Sequence, residues 1–594
     1  MWKRAFIMMS LGAAAALAAA PDAGGAQQGG MATDELLKRT AEVGALPGEP
    51  SLVERAGISR GDRVLPSLES AEPVESGKKR LVLVGGLDGN DRSVDAVLNA
   101  IRWWKTAAPA ALKQQWSVTA LICGNPEGLA QLKPTNDSGG KPAVNYPPET
   151  GFFNDKINVE ARYVWRWIAI QAPDLVVETR GATRLSWLAP PQPAPLRTAL
   201  NAQPLSAPDS LPLTLGMGTP SGLGTTPAVV ALVRAAEGPR MLEQALLAGS
   251  GLPISPMRQA AIARIRRPIE QTAQVLAARY PQTPSVGYIP AVAWSARLSL
   301  SKLTGDVGLR TRVVEALRPW LSGEKPALAS PPSLANLAGH IAFGDLALDE
   351  SQPEELRASA RKLALDAALN YRPEKPGDRA RPGQFWTDDM FMQNTLLRRA
   401  AQLGDPEALE LMVRTLKEYL SKLQRQDGIF VHALDGPHAW GRGNGFAALG
   451  MMEALTQIPK AHPERAGIEA ACRRHVEALT RVQSPEGAWR QVIDHRESYR
   501  EVTATAMNLA AIARGIRLGW LGREHLPTAE RAWRALSARI GDDGALLDVC
   551  TGTGSGPNLR YYLERQASIG ADDRGGAMAL LAATELMALR RSLK

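Results

Sequence analysis

Cysteine is almost absent: the 594 residues hold three, Cys123, Cys472 and Cys550. Thiols so far apart build neither a disulfide framework nor a zinc cluster. Cys550 sits in a Gly/Thr-rich loop with no His and Asp pattern around it, which reads as buried structure rather than a nucleophile. Long hydrophobic runs are scarce too. Beyond the N-terminus no segment reaches about 18 unbroken apolar residues, so no stable membrane anchor is expected. The absence of a cysteine near the start argues against a lipid-modified end. No Lys/Arg-rich run is interleaved with aromatics, which argues against nucleic acid. The glycines between Gly552 and Gly556 have no lysine after them and no strand before, which argues against a phosphate loop.

What is present begins with charge. The net charge is +9 and the pI about 9.4, which favours anionic partners such as acidic polysaccharide. The length implies two or three domains. Met1-Trp2-Lys3-Arg4 followed by the apolar run Ala5 to Ala20 has the form of a signal peptide, taken as 1–26, so export to the periplasm or medium is expected. Residues 27–75 are rich in Gly, Ala, Pro and charge and read as a linker and weakly structured lead-in. At Lys79 the texture changes. Strands are expected over Arg80 to Gly86, Trp116 to Ile122 and Asp174 to Thr179, alternating with helices over Ser93 to Lys105 and Val159 to Ala172. That alternation predicts an α/β domain over 76–283 with a mostly parallel sheet. The Pro-rich stretch 189–221 reads as a long surface loop or an inter-domain linker, and helices over Met241 to Ala248 and Arg258 to Arg279 either close the domain or bridge to the second.

This α/β block resembles a zinc carboxypeptidase-like domain in Val84-Gly85-Gly86-Leu87-Asp88-Gly89-Asn90-Asp91, Asn125-Pro126-Glu127-Gly128 and Glu178-Thr179-Arg180. The family's three zinc ligands fall on Asp88, Asp91 and Arg180. An arginine cannot ligate, so the resemblance implies a degenerate relative without metal and with a binding or packing role.

From residue 284 to the end almost every segment is helical and amphipathic, with two helices recurring about every 50 residues. Repeated helical hairpins suit a solenoid or an α/α toroid, and the uneven, chemically rich loops favour the toroid. The most conspicuous stretch is Gln384-Phe385-Trp386-Thr387-Asp388-Asp389-Met390-Phe391-Met392. Thr387 is expected to cap a helix, which places Asp388 and Asp389 in its first turn. The plain reading is that acids suit a helix N-terminus. The sharper one is a catalytic carboxyl at the mouth of an aromatic pocket.

Five motifs in order decide for the second. Tyr288-Ile289-Pro290, the Gln384 to Met392 stretch, Gly428 to His432, Trp440 to Phe446, and Arg500 to Met507 with Cys550 to Gly554 resemble the unsaturated glucuronyl and rhamnogalacturonyl hydrolases of glycoside hydrolase families 88 and 105. The resemblance implies an (α/α)6 barrel over 284–594 and hence a multidomain chain, α/β then all-α. It implies removal of a terminal 4,5-unsaturated uronic acid from an anionic oligosaccharide by hydration of C4=C5, with no metal or organic cofactor. It puts Asp388 at the acid/base position and Gln384, Trp386, Asp389, His432, Trp440, Arg442, Asn444 and Phe446 in the sugar subsite. Arg442 would pair with the uronate carboxylate. The chain departs from the family at Asn336 to Ala342, where a second pocket acid is missing. A non-catalytic polysaccharide-binding or interaction scaffold is the alternative.

Overall fold

The computed structural model describes residues 30–144, 146, 155–217, 223–371 and 385–594. The expected leader and Gln384 lie outside the described residues.

An α/β region comes first. Helix α1 (Thr33–Gly44) precedes a hairpin of β1 (Leu52–Ile58) and β2 (Val64–Glu69). Then β3 (Lys79–Val84), α2 (Asp91–Thr106), β4 (Trp116–Leu121), α3 (Val159–Gln171) and β5 (Leu175–Gly181) alternate. β6 (Ser186–Ala189), β7 (Gln203–Pro204), β8 (Ala228–Val233) and α4 (Gly238–Gly249) complete it. The strands lie in the order β1-β2-β4-β3-β5-β8-β6-β7. The central strands β4, β3, β5 and β8 run parallel, and β2 and β6 flank them antiparallel. A parallel centre needs cover on both faces. Leu81 and Leu83 of β3 join the core beneath α2 and α4, while the alternate Val82 and Val84 join the core beneath α3.

The structure corrects the reading of 27–75 as a weakly structured lead-in. Its described part holds α1 and the β1–β2 hairpin, with Ala56, Ile58, Leu65 and Leu68 buried. Composition misleads there because β2 is held by a distant partner, Ser67 opposite Leu121 and Leu68 opposite Ala120. The Pro-rich stretch 189–221 is likewise more than a loop. It carries short helices at Ala194–Ala199 and Leu211–Met217, with β7 between them. The helix expected from Arg258 to Arg279 is broken at Pro268 into Pro256–Arg266 and α5 (Ile269–Arg279).

The rest is helical: α6 (Tyr288–Thr304), α7 (Val307–Leu321), α8 (Ile341–Ala347), α9 (Glu354–Asn370), α10 (Thr387–Gln402), α11 (Ala408–Leu423), α12 (Gly441–Gln457), α13 (Arg465–Val482), α14 (Val502–Leu518) and α15 (Leu526–Ser537). A short hairpin of β9 (Leu546–Cys550) and β10 (Ala567–Gly570) encloses α16 (Leu559–Leu563), and α17 (Asp573–Ser592) ends the chain. Helices α6, α8, α10, α12, α14 and α17 each pack on the next, and α17 returns to α6, closing an inner ring. Helices α7, α9, α11, α13 and α15 back that ring, and α5 backs α17. This is the arrangement of an (α/α)6 toroid. Its outer shell therefore begins before residue 284, with α5. Close approach inside the ring needs small residues: a Cβ on Gly450 of α12 would lie 2.6 Å from the Met390 carbonyl oxygen of α10.

Some three turns below the inner N-termini lies a buried charge layer. Glu453 of α12 pairs with Arg398 (2.6 Å) and Arg399 (2.7 Å) of α10 and with Arg514 (3.0 Å) of α14. Arg399 also holds Asp345 of α8 at 3.0 Å, and Arg514 holds Glu585 of α17. Burial works against ionisation of Glu453, but the three guanidinium groups outweigh it and hold the carboxyl well below the usual range. The opposite case stands in the α/β region. Glu160, at the start of α3, is fully buried, and burial pushes its carboxyl up to about 7 although Asn136 Nδ2 donates to it at 2.6 Å.

The two regions share one core. Helix α3 is buried along most of its length between the sheet and the toroid. Its Arg166 pairs with Asp548 of β9 at 2.8 Å, both groups buried. Arg490, in the loop before α14, meets Glu54 of β1 at 3.3 Å.

Two outcomes follow for stability. Glu453→Ala strands three buried guanidiniums and should cost about 3–5 kcal/mol in chemical denaturation. Because its folded pKa is depressed, the wild-type contribution should be complete above the unfolded-state value of about 4.3 and decline as pH falls below it. Glu160 has the reverse sign: the folded state holds the proton more tightly, so its ionisation erodes stability as pH rises from about 4.3 towards 7. Glu160→Gln should remove that erosion and gain on the order of 3 kcal/mol above pH 7, measured as the difference between denaturation curves at pH 5 and pH 8.

Candidate active site

Since every inner helix is preceded by an outer one running the other way, all inner helices start at the same end. The candidate site lies there. The approach to α10 is strained: Phe385 has φ 46°, a left-handed value rare for a side chain of that size. Trp386 then takes the N-cap position rather than Thr387, which is the first helical residue. The correction follows from the cross-chain bridge: Thr387 N donates to the His432 carbonyl at 2.9 Å, and Trp386 pairs with Ala433. The strand-like segment 430–433 is thereby pinned beside the start of α10.

That pairing delivers His432 to Asp388. His432 Nε2 lies 3.2 Å from Asp388 Oδ2, and Nδ1 lies 2.9 Å from the Tyr562 hydroxyl. The imidazole is fully buried between Trp386 (ring centroids 5.1 Å apart) and Trp440 (4.5 Å). The Asp388 side chain keeps 14% of its surface exposed. It is thus the polar end of a buried aromatic and imidazole stack that reaches the solvent side.

The neighbouring acid faces elsewhere. Asp389 is buried and accepts from the Tyr419 hydroxyl at 2.9 Å and, at 3.4 Å, from the Trp386 N–H. Among the described residues these contacts are those of a helix-capping acid. Arg442, expected to meet a uronate, is also committed inward. Its Nε donates to Thr503 Oγ1 at 2.9 Å and its Nη2 to the carbonyls of Cys550 and Thr551, with the guanidinium 5.3 Å from the Trp440 ring. Asn444 brackets Phe430, accepting from its N–H and donating to its carbonyl, both at 2.9 Å. Phe446 is buried against Phe391, Tyr288 and Trp440. Trp440 itself is 1% exposed, so it backs His432 rather than offering an open stacking face. Trp386, Asp388, His432 and Trp440 therefore form the inner constellation. Arg442, Asn444 and Phe446 form the layer that holds it.

Other residues of the site have no role assigned from the sequence, although Tyr288 and Glu501 lie within the motifs quoted above. Tyr562 comes from the distant α16. Tyr288 opens α6, and burial pushes its hydroxyl up to about 12, Arg442 opposing and Asp388 adding to the shift. Glu501 caps α14, accepting from Thr503 N (3.0 Å) and Ala504 N (2.6 Å), and also takes the Cys550 N–H at 2.9 Å. Arg574 at the start of α17 pairs with Asp572 at 2.6 Å and keeps 27% of its side chain exposed. At the segment 336–342, which lacks the second pocket acid, His340 is buried with Nδ1 3.1 Å from the Asn336 carbonyl. Burial lowers it to about 4.

In the α/β region Asp88 is held by Ser93 Oγ (2.7 Å) and Gly181 N (2.7 Å), and Arg180 pairs with Glu178 at 2.6 Å. Among the described residues no group of three His, Cys, Asp or Glu is arranged to hold a metal ion. Among them, too, no helix is long and apolar enough to cross a membrane.

Comparison with known proteins bears on this geometry. An unsaturated rhamnogalacturonyl hydrolase of Bacillus subtilis is 28% identical over 190 residues, 30% of this chain and 54% of that protein. An unsaturated 3S-rhamnoglycuronyl hydrolase of Formosa agariphila is 24% identical over 225 residues, 34% of this chain and 60% of that protein. The chain thus spans little more than half the length of these relatives. Among solved structures, a family 105 glycoside hydrolase of C. acetobutylicum aligns with TM-score 0.48 and 19% identity, covering 54% of this chain and 99% of that one. The family model described as Glycosyl Hydrolase Family 88 matches residues 275–590, which begins within α5 and ends within α17. That match takes in the whole closed ring and more than half of the chain, and the protein belongs to glycosyl hydrolase family 88.

Proposed function

We propose that the toroid removes a terminal 4,5-unsaturated uronic acid from anionic oligosaccharides by hydrating the C4=C5 double bond. The observation that carries this is the Asp388–His432 pair: one carboxyl group, partly open to solvent, backed by a buried imidazole and two indoles. Protonation of C4 of an enol ether and removal of a proton from water attacking C5 require one group acting first as acid, then as base. Asp388 does both. It gives its proton to C4, the water oxygen bonds to C5, and the water's proton returns to the carboxylate. The hydrated sugar then opens and leaves the chain. The names of the related hydrolases agree with this chemistry. So does the convergence of the inner-helix N-termini at the site, whose partial positive charges favour an anionic ligand.

The absence of a second acid at 336–342 favours the alternative, a toroid that binds such oligosaccharides without turning them over. The α/β region is read here as a carboxypeptidase-like scaffold that has given up its metal; Asp88 and Arg180, committed to Ser93 and Glu178, support that reading. The basic N-terminus and its apolar run support export.

Turnover is read as loss of absorbance from the conjugated double bond, on a panel of lyase-generated oligosaccharides. Asp388→Asn should lower kcat by about a hundredfold or more. Asp389→Asn should leave kcat within a few-fold, since the amide oxygen can still accept from the Tyr419 hydroxyl and the Trp386 backbone N–H. If the two outcomes exchange, Asp389 is the acid; if neither variant matters, the binding reading replaces the hydrolase. Arg442→Ala frees the Cys550 and Thr551 carbonyls and should raise KM, with Arg442→Lys restoring only part, since one ammonium cannot reproduce the guanidinium fork. An unchanged KM in Arg442→Ala removes that residue from the site.

A further inference from the structure

The β1–β2 hairpin of the α/β region reaches into the toroid on both sides of Tyr562. On one side its turn meets α16. Arg60 Nη1 pairs with Glu564 Oε1 at 2.9 Å, Arg560 Nη2 pairs with Asp62 Oδ2 at 2.7 Å, and Arg560 Nη1 donates to the Arg60 carbonyl. Tyr163 of α3, packed against Gly57 of β1, points its hydroxyl at the Leu563 carbonyl. On the other side Glu54 of β1 takes Arg490 at 3.3 Å and also pairs with Arg496. The neighbour of Arg490, Gln491, donates Nε2 to the Tyr562 carbonyl at 3.2 Å, and its own carbonyl receives the Gly441 N–H at 2.7 Å, at the start of α12. The backbone of Tyr562 is therefore gripped by segments that the α/β region holds.

The side chain of Tyr562 then points at the site. Its hydroxyl oxygen accepts from Gly556 N at 3.2 Å and lies 2.9 Å from His432 Nδ1, a contact in which either partner can be the donor, while the carboxylate at Nε2 calls for a proton there. A hydroxyl that donates to Nδ1 leaves the imidazole proton on Nε2. We infer that Tyr562, clamped by the β1–β2 hairpin of the α/β region, is a positioning residue that fixes His432 as the Nε2–H tautomer aimed at Asp388. The α/β region is then part of the site's construction, although among its described residues none is bonded to Asp388. Burial keeps the Tyr562 hydroxyl protonated far above neutral pH, pushing it up to about 12, so the donor persists across the working range. In this form His432 donates to the Asp388 carboxylate at 3.2 Å and steadies the ionised state that follows proton delivery to C4.

The inference rests on the proposed hydrolase reading for its kinetic part, and the test separates the two. In full-length protein labelled with 15N-histidine, the His432 imidazole is identified by its loss in His432→Gln. An unprotonated Nδ1 and a protonated Nε2 are expected, and Tyr562→Phe should shift that pattern. An Nδ1–H tautomer in the wild type overturns the inference whether or not the protein turns over any oligosaccharide. Kinetically, Tyr562→Phe should lower kcat about tenfold with KM within about twofold, the loss expected for one hydrogen bond felt mainly in the reacting state. Asp62→Arg, which sets two cations against each other, should lower kcat several-fold with KM held, and Asp62→Arg/Arg560→Asp should recover it. Arg534→Ala breaks a different contact between the two regions, with Glu75 at 2.7 Å, and should leave kcat as it is. If Asp62→Arg behaves like Arg534→Ala, the hairpin does not position Tyr562. If the charge swap fails to recover kcat, the Asp62–Arg560 contact is not the clamp. Wild-type protein inactive on the whole panel sinks the hydrolase reading, while the tautomer still decides this one.

Discussion

The buried charge layer of the toroid is the constraint on which the rest hangs. A ring of helices that pack through small apolar residues could rotate or slide at modest cost. Glu453 with Arg398, Arg399 and Arg514 removes that freedom, because a buried carboxylate whose partners move away is left unsolvated. Asp345 and Glu585 extend the layer to α8 and α17. Fixing the rotation of these helices three turns down also fixes which way their first residues face. Asp388 meets His432 because α10 cannot turn, and Glu501 receives the Cys550 N–H because α14 cannot.

The second dependence is between regions. Helix α3 has no solvent-facing side over most of its length, since one flank lies on the sheet and the other on the loops of the toroid. Arg166, buried and paired with Asp548, shows how closely the two are joined: neither charge would be tolerable if the regions separated. The α/β region is thus not an appendage on a linker. It supplies part of the wall behind β9 and α16, the segments that carry the aromatic side of the site.

The sequence displayed some of this clearly. Helical periodicity from residue 284 onward revealed the hairpins, because each helix buries one face against a neighbour close in the chain. The strand–helix alternation after Lys79 was equally plain, since a parallel strand buried on both faces reads as an apolar run. What stayed hidden depended on distance or direction. The β1–β2 hairpin, composed like a linker, owes its place to β4. Asp388 and Asp389 are adjacent in sequence, yet successive helix positions point about 100° apart, so only the structure tells which one turns to His432. Arg442 between two glycines could face a ligand or the protein, and three carbonyl and hydroxyl acceptors decide for the protein. Tyr562 gives no local signal, since its meaning comes from a histidine on another hairpin.

The two ends of the barrel are built on different terms. One is stitched helix to helix by charges; the other consists of the loops that lead into the inner helices. A change of loop length or chemistry at the mouth leaves the stitched layer untouched, so lineages can alter the rim piece by piece without refounding the barrel. The hairpin that reaches across from the α/β region turns this freedom into a restraint on one sector. The segments near α14 and α16 must evolve together with a surface that belongs to another part of the chain.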